Sequence, residues 1–185
     1  MTKLFPLMAM AFFATPIQAA ENISCPLEAL APEERTRLAL ILIENDQATT
    51  SVVNQTIIQK AVACAQERSW SRSAGSYAAL YAILGLTTGL LNDNPSVLDA
   101  DRELVDRSVA GLTDSDRSDW LAPALDAHLQ RRNLLGESPH HGGLALSFVE
   151  RSGVLLDGSE RSQRIVALLV GRCLMRLMEE RFQQM

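Results

Sequence analysis

The chain has 185 residues, 47% of them hydrophobic, and a formal net charge of −5 at pH 7. That length fits one domain with a real core. The acidic balance, with no basic run beyond Arg131-Arg132, excludes the electrostatic footprint expected of a nucleic-acid binder or a protein that coats anionic membranes.

The chain opens MTKLFPLMAMAFFATPIQAAE. Lys3 supplies a positive start. Leu4 to Ala14 form an apolar run interrupted by Pro6, and Pro16 ends it. Ile17-Gln18-Ala19 then offers a small-residue cleavage site before Ala20. This order predicts a secretory signal peptide, because the apolar run is too short to span a bilayer. The alternatives are an apolar first helix of the domain and lipidation at Cys25. Lipidation is disfavoured, since Asn22-Ile23-Ser24 lacks the leucine expected before the cysteine and Glu21 interrupts the apolar run. The expected organisation is a leader over 1–19 and a single α-helical domain over 20–185, periplasmic or secreted.

Helical periodicity fills the rest. APEERTRLALILIEN places Pro32 at a first helical position, with Glu33 and Glu34 in the first turn and Leu38, Ile41 and Leu42 on one face. DQATT reads as a turn. A second helix is predicted from about Ser51 to Glu67, with Val53, Ile57, Val62 and Cys64 or their neighbours inward. A third runs from about Ser73 to Leu91. Ser73 to Asn92 carries no charge, long enough to raise a membrane span. Its Ser76, Tyr77, Tyr81, Thr87, Thr88 and Asn92, with Gly75, Gly85 and Gly89, make a core helix the better reading. Ala78, Ala82, Gly85 and Gly89 form a small-residue stripe that fits close helix packing. It also fits a groove for an apolar ligand.

Asn94-Pro95 predicts the cap and first position of a fourth helix, with Val97, Leu98, Leu104, Val105 and Val109 inward. TDSDRSDW starts a fifth, which Pro123 kinks or restarts. GGLALSFVERSG is a short helix. The last begins near Asp157 and Glu160 and reaches the C-terminus. Ile165 to Gly171 within it carries no charge, which predicts the helix that the others surround. No segment alternates as a strand does. The expected fold is an all-α compact bundle of about six helices in one domain.

The chain has 3 cysteines. Cys25 and Cys64 lie at similar distances either side of the DQATT turn, so an antiparallel hairpin brings them to one end. Their pairing as a disulfide is predicted. Cys173 falls on an inward face with Val166, Leu169, Val170 and Leu177 and reads as a buried, unreactive thiol.

Chemistry-bearing motifs are sparse. There is no G-x-S-x-G, H-E-x-x-H, P-loop or G-x-G-x-x-G pattern. Lys60 has no serine three residues before it. Asp99, Asp101 and Glu103 alternate, as do Asp114, Asp116 and Ser118. Leu104 and Asp119 stand where a calcium loop needs glycine, so both runs read as acids at helix starts. ESPHHGG holds His140 and His141. With His128 and Glu137 they are the weak candidates for a metal site. Ser138 lies too near His140 in sequence to be its nucleophile. The plainer reading is a surface turn, in which Pro139 stops one element and Gly142 and Gly143 free the backbone.

Trp70 and Trp120 sit at helix ends, where each either anchors a partner or closes over the core. The last helix carries Arg161, Arg164, Arg172 and Arg176 with Glu179 and Glu180, a pattern typical of a solvated face. Its Met175, Met178, Phe182 and Met185 fit an adaptable docking surface as well as a core. No catalytic residue and no cofactor is implied. The sequence points to an exported helical protein that binds a protein partner without catalysis. The rival readings are a carrier of an apolar small ligand and a histidine-based metal binder or metalloenzyme.

Overall fold

The computed structural model describes residues 21–44, 47–129 and 139–185. Among these residues the secondary structure is helical throughout, with no strand, in one compact unit. The elements are α1 (Cys25–Glu28), α2 (Pro32–Glu44), α3 (Gln47–Glu67), α4 (Arg72–Asn92) and α5 (Asp99–Ala110). There follow α6 (Asp114–Asp116), a π-helical stretch (Arg117–Leu121), α7 (Ala122–Leu129), α8 (Pro139–Arg151) and α9 (Glu160–Phe182). The expected leader lies outside the described residues.

The bundle has three layers, with α4 in the middle. On one side the α2–α3 hairpin packs Leu38, Ala39, Val53 and Ile57 against Ala82 and Leu86 of α4. On the other, Ala74, Ala78 and Tyr81 of α4 join a larger core. That core is built from Val105, Trp120, Leu121, Leu125 and Phe148, and from Leu168, Leu169, Cys173, Met178 and Phe182 of α9. So α4, rather than the last helix, is the one the others surround. Ala167 and Arg172 of α9 face solvent. The physical reason is side-chain size. Gly85 of α4 admits Leu27, whose Cδ2 would lie 2.8 Å from an added Cβ. Gly171 of α9 admits the methyl of Thr88, well inside van der Waals contact of an added Cβ. Small residues on both flanks let neighbours close on α4 from opposite sides. This helix is long and apolar enough to cross a membrane, with hydropathy 1.4, yet here it is the shared wall of two cores.

Helix starts follow local chemistry. Pro32, Glu33 and Glu34 open α2 as expected. Ser71 caps α4, its side chain accepting from the Ala74 N–H at 3.1 Å. Three starts differ from expectation. Residues 47–50 belong to α3 instead of a turn. Asn94 caps no helix: its Oδ1 accepts from the N–H and hydroxyl of Ser96, at 2.9 and 2.7 Å. That local Asx turn outcompetes a helix start. The helix begins at Asp99, where Asp101 Oδ2 accepts from the Leu98 N–H at 2.8 Å. Leu98 accordingly stays half-exposed, at 50%. In α9 the cap is Ser159, which accepts from the Ser162 N–H at 3.1 Å, while Asp157 accepts from the Ser159 N–H. At Pro123 the helix restarts, as expected: α7 begins at Ala122, directly after the π-helical stretch. The preceding π-helical turn, with the Ala122 N–H bonded to the Arg117 carbonyl, widens the coil and absorbs the missing donor.

Cys25 and Cys64 form a disulfide, with Cα atoms 6.2 Å apart. It ties the single turn of α1 to the end of α3. Arg35 adds to this tether by donating to the Leu30 and Glu28 carbonyls at 3.0 and 3.2 Å.

Candidate functional site

The outer side of the α2–α3 hairpin stands apart from the rest of the surface. On α3, a period of about 3.6 residues per turn sets Val52, Gln59, Gln55, Val62, Ser51 and Ile58 on one arc. All are exposed and none is charged. Lys60 lies to the flank and Glu67 at the very end. On α2 the N-terminal half of the outer face is charged, by Glu33 and Arg37. The half nearer the hairpin tip is apolar, with Leu40 and Ile43 at 48% and 50% exposure. Val52, Ile58 and Val62 are 54%, 45% and 50% exposed. Single exposed apolar residues are ordinary, but several grouped on neighbouring helices are the kind of surface that interaction sites use. The inward face, Val53, Ile57, Ala61 and Cys64, is buried. The hairpin is therefore held rigidly from behind, while its outer face is unfilled by any described part of the chain. Val62, expected inward, is on the outer arc.

The other sequence candidates fall elsewhere. Pro139, His140 and His141 lie in the first turn of α8. The backbone there is helical rather than a turn, because proline suits a first helical position, where its missing N–H is no loss. Glu137 and Ser138, and the side chains of His128, His140 and His141, lie outside the described residues. Among the described residues no group of three or more His, Cys, Asp or Glu is placed to hold a metal ion. Trp120 is buried against Phe148, ring centroids 5.3 Å apart, and Trp70 meets Phe182 edge-on at 5.1 Å. Both tryptophans close over the core. Met178 and Phe182 are buried too, while Met175 and Met185 are partly buried against the same core.

Cys173 has 0% exposure, and burial pushes its thiol up to about 12. The native protein should therefore resist thiol alkylation at neutral pH, and incorporate one label only after unfolding in urea. Labelling of the native state at a rate like that of a free thiol would contradict this.

Polar side chains elsewhere link the helices. Arg161 donates to both oxygens of Asp101, at 2.8 Å each from Nη2, joining α9 to α5. Arg151 donates to Asp116 at 2.6 Å, Arg117 pairs with Glu180 at 3.2 Å, and Arg181 with Asp126 at 2.8 Å. The Tyr81 hydroxyl donates to Glu179 at 2.7 Å. Its ionisation moves well above the ordinary tyrosine value, by burial first and by that carboxylate second. At Asp101 and Asp116 burial pushes the carboxyls up. Arg161 and the Leu98 N–H outweigh it at the first, and Thr113 and Arg151 at the second, so both end below the usual range. Lowered folded values mean that these carboxylates stabilise the fold above the unfolded-state pKa of about 3.9. The contribution is lost as pH falls through the folded values. The urea midpoint should fall on acidification below about pH 4. In Asp116→Asn that slope should be shallower; an unchanged slope would show that Asp116 is not coupled to folding.

The small-residue stripe of α4 is divided in use. Ala78 and Ala82 are buried and Gly85 seats Leu27, so these serve packing. Gly89 has open space around it and borders a cleft of about 350 Å³ with Leu27, Arg35, Ala39, Leu86 and Leu90. The uncharged arc of α3 was legible as the near-absence of charge from Gln47 to Lys60, a signal not used in reading the sequence. Comparison with protein-family models, curated proteins and solved structures gives no match.

Proposed function

We propose that the protein is an exported, non-catalytic interaction module that docks a protein partner on the outer face of its α2–α3 hairpin. The observation that carries this reading is the uncharged arc of α3, with exposed Val52, Ile58 and Val62 beside Leu40 and Ile43. Interface centres are depleted in charge relative to the surrounding surface, and a rigid apolar patch binds at low entropic cost. Export is supported by the leader-like start and by the Cys25–Cys64 bridge, a bond favoured in oxidising compartments.

Photo-crosslinking in cells tests this. A photoreactive residue at Val62 should give one discrete protein adduct, and the same residue at exposed Asp106 of α5 should not. Adding Val52→Glu should weaken the adduct by about tenfold or more, since a charge then has to be desolvated in the contact. Equal adducts from both positions, or none from Val62, would remove the hairpin from consideration. Cell fractionation tests the location: cytoplasmic protein with an intact N-terminus would contradict export.

A further inference from the structure

We propose that a groove between α5, the Thr113–Asp116 turn and α8 binds a small organic acid. Its carboxylate is held by Arg107 and Arg151, and its apolar body lies on Leu104 and Phe148. The cavity has a volume of about 350 Å³, at the lower end of the range for small-molecule sites and too small for a folded partner.

Two cations line this cavity, and neither is used up. Arg107, in the last turn of α5, is exposed, and its side chain has no hydrogen bond or ion pair among the described residues. Arg151, in the last turn of α8, directs Nη2 to Asp116 and lies over the Phe148 ring, 5.9 Å from its centroid. A guanidinium offers a fork of N–H donors suited to two-point contact with a carboxylate, and Asp116 occupies only part of that fork. Asp116 itself is engaged by the Thr113 N–H at 3.1 Å and the Thr113 hydroxyl at 2.7 Å. Among the described residues it is the one carboxylate lining this cavity, and Arg151 offsets its charge. Its role is to position Arg151. Arg107 then leaves a net positive wall above an apolar floor.

An adjoining cavity of about 390 Å³ shares Thr113, Asp116 and Arg151 and has Trp120 and a second carboxylate, Asp119, in its wall, so the positive wall belongs to the Arg107 side. The Trp120 Nε1–H is buried with no acceptor among the described residues. Buried donors are rarely left unpaired in native structures. The Ser108 and Ser152 hydroxyls, by contrast, already donate to the Leu104 and Phe148 carbonyls at 2.8 Å each. The free donors lining this groove are therefore the two arginines.

Hexanoate is the probe, with hexanamide as its uncharged isostere, followed by amide NMR shifts of the full-length protein. Hexanoate should produce saturable shifts at Gly111, Thr113 and Ser152, and hexanamide should not. Arg107→Ala should weaken hexanoate binding about tenfold or more without changing the thermal midpoint, because Arg107 supports no other side chain. Absence of saturable shifts with hexanoate overturns the proposal. So does equal binding of hexanamide, equal binding of inorganic phosphate, or full affinity in Arg107→Ala. A Val52→Glu, Val62→Glu variant should bind hexanoate normally, so this site and the docking face stand or fall separately.

Discussion

Replacing Cys25 and Cys64 together with alanine is expected to lower the unfolding free energy by ~4 kcal/mol. The two positions are 39 residues apart in sequence, and a cross-link over that span removes much of the freedom of the unfolded chain. In the native state α1 is also held by its buried Pro26 and by the flanking Ile23 and Leu30 in the core. It is only 4 residues long, too short to be stable alone. Its other anchors are Arg35, which accepts nothing and donates to two carbonyls, and Leu27 against Gly85. Urea unfolding of oxidised wild type, reduced wild type and the double variant measures the effect. The last two should agree, and both should unfold well below the first. A difference under about 1 kcal/mol would mean that strain or residual unfolded structure cancels the chain-entropy gain.

Gly171→Ala is expected to destabilise the protein by about 1–3 kcal/mol, although alanine is the better helix former. The added Cβ would overlap Thr88 Cγ2 where α9 crosses α4. Thr88 has little room to turn away: it is 5% exposed, and its hydroxyl donates to the Leu84 carbonyl at 2.8 Å. Thr88→Ser removes the offending methyl and keeps that hydroxyl. The Gly171→Ala, Thr88→Ser pair should therefore recover most of the loss, a coupling of opposite sign to additivity. Thr88→Ser alone should cost about 1 kcal/mol for the methyl-sized void. Thermal unfolding of the four proteins completes the cycle. If the double variant were as unstable as the sum of the singles, the close approach would not be what requires glycine at 171.

Much of the fold was readable from the residues because helix signals are local. Pro32, Glu33 and Glu34 sit together at one helix start, and the symmetry of Cys25 and Cys64 about the hairpin turn follows from chain direction alone. Reading failed where two local options competed. Asn94 has the side chain of a helix cap, yet it bonds to Ser96 next door. Pro139 looks like a stop signal, yet it begins α8. The choice of central helix failed for another reason. Absence of charge in Ile165 to Gly171 is a property of one segment, whereas centrality depends on how many neighbours fit, and that was set by Gly85 and Gly171 acting across α4.

Hydrophobic periodicity shows what points inward and is silent about an uncharged outer face. Val62 is apolar and so reads as core, but its outward direction follows only from the register of α3 set by buried Val53, Ile57, Ala61 and Cys64. The Arg107–Arg151 groove was invisible for a different reason. Its residues come from α5, from the turn before α6 and from α8, and no motif spacing joins them.

We propose that the hairpin face docks another protein. Size-exclusion chromatography of freshly prepared, undiluted cell-envelope extract tests it most directly, comparing wild type with the Val52→Glu, Val62→Glu variant. Wild type should elute in a complex larger than the monomer, and the variant, folded to the same thermal midpoint, should elute as the monomer. If both proteins elute at the same position, the uncharged face of α3 is not what holds a partner.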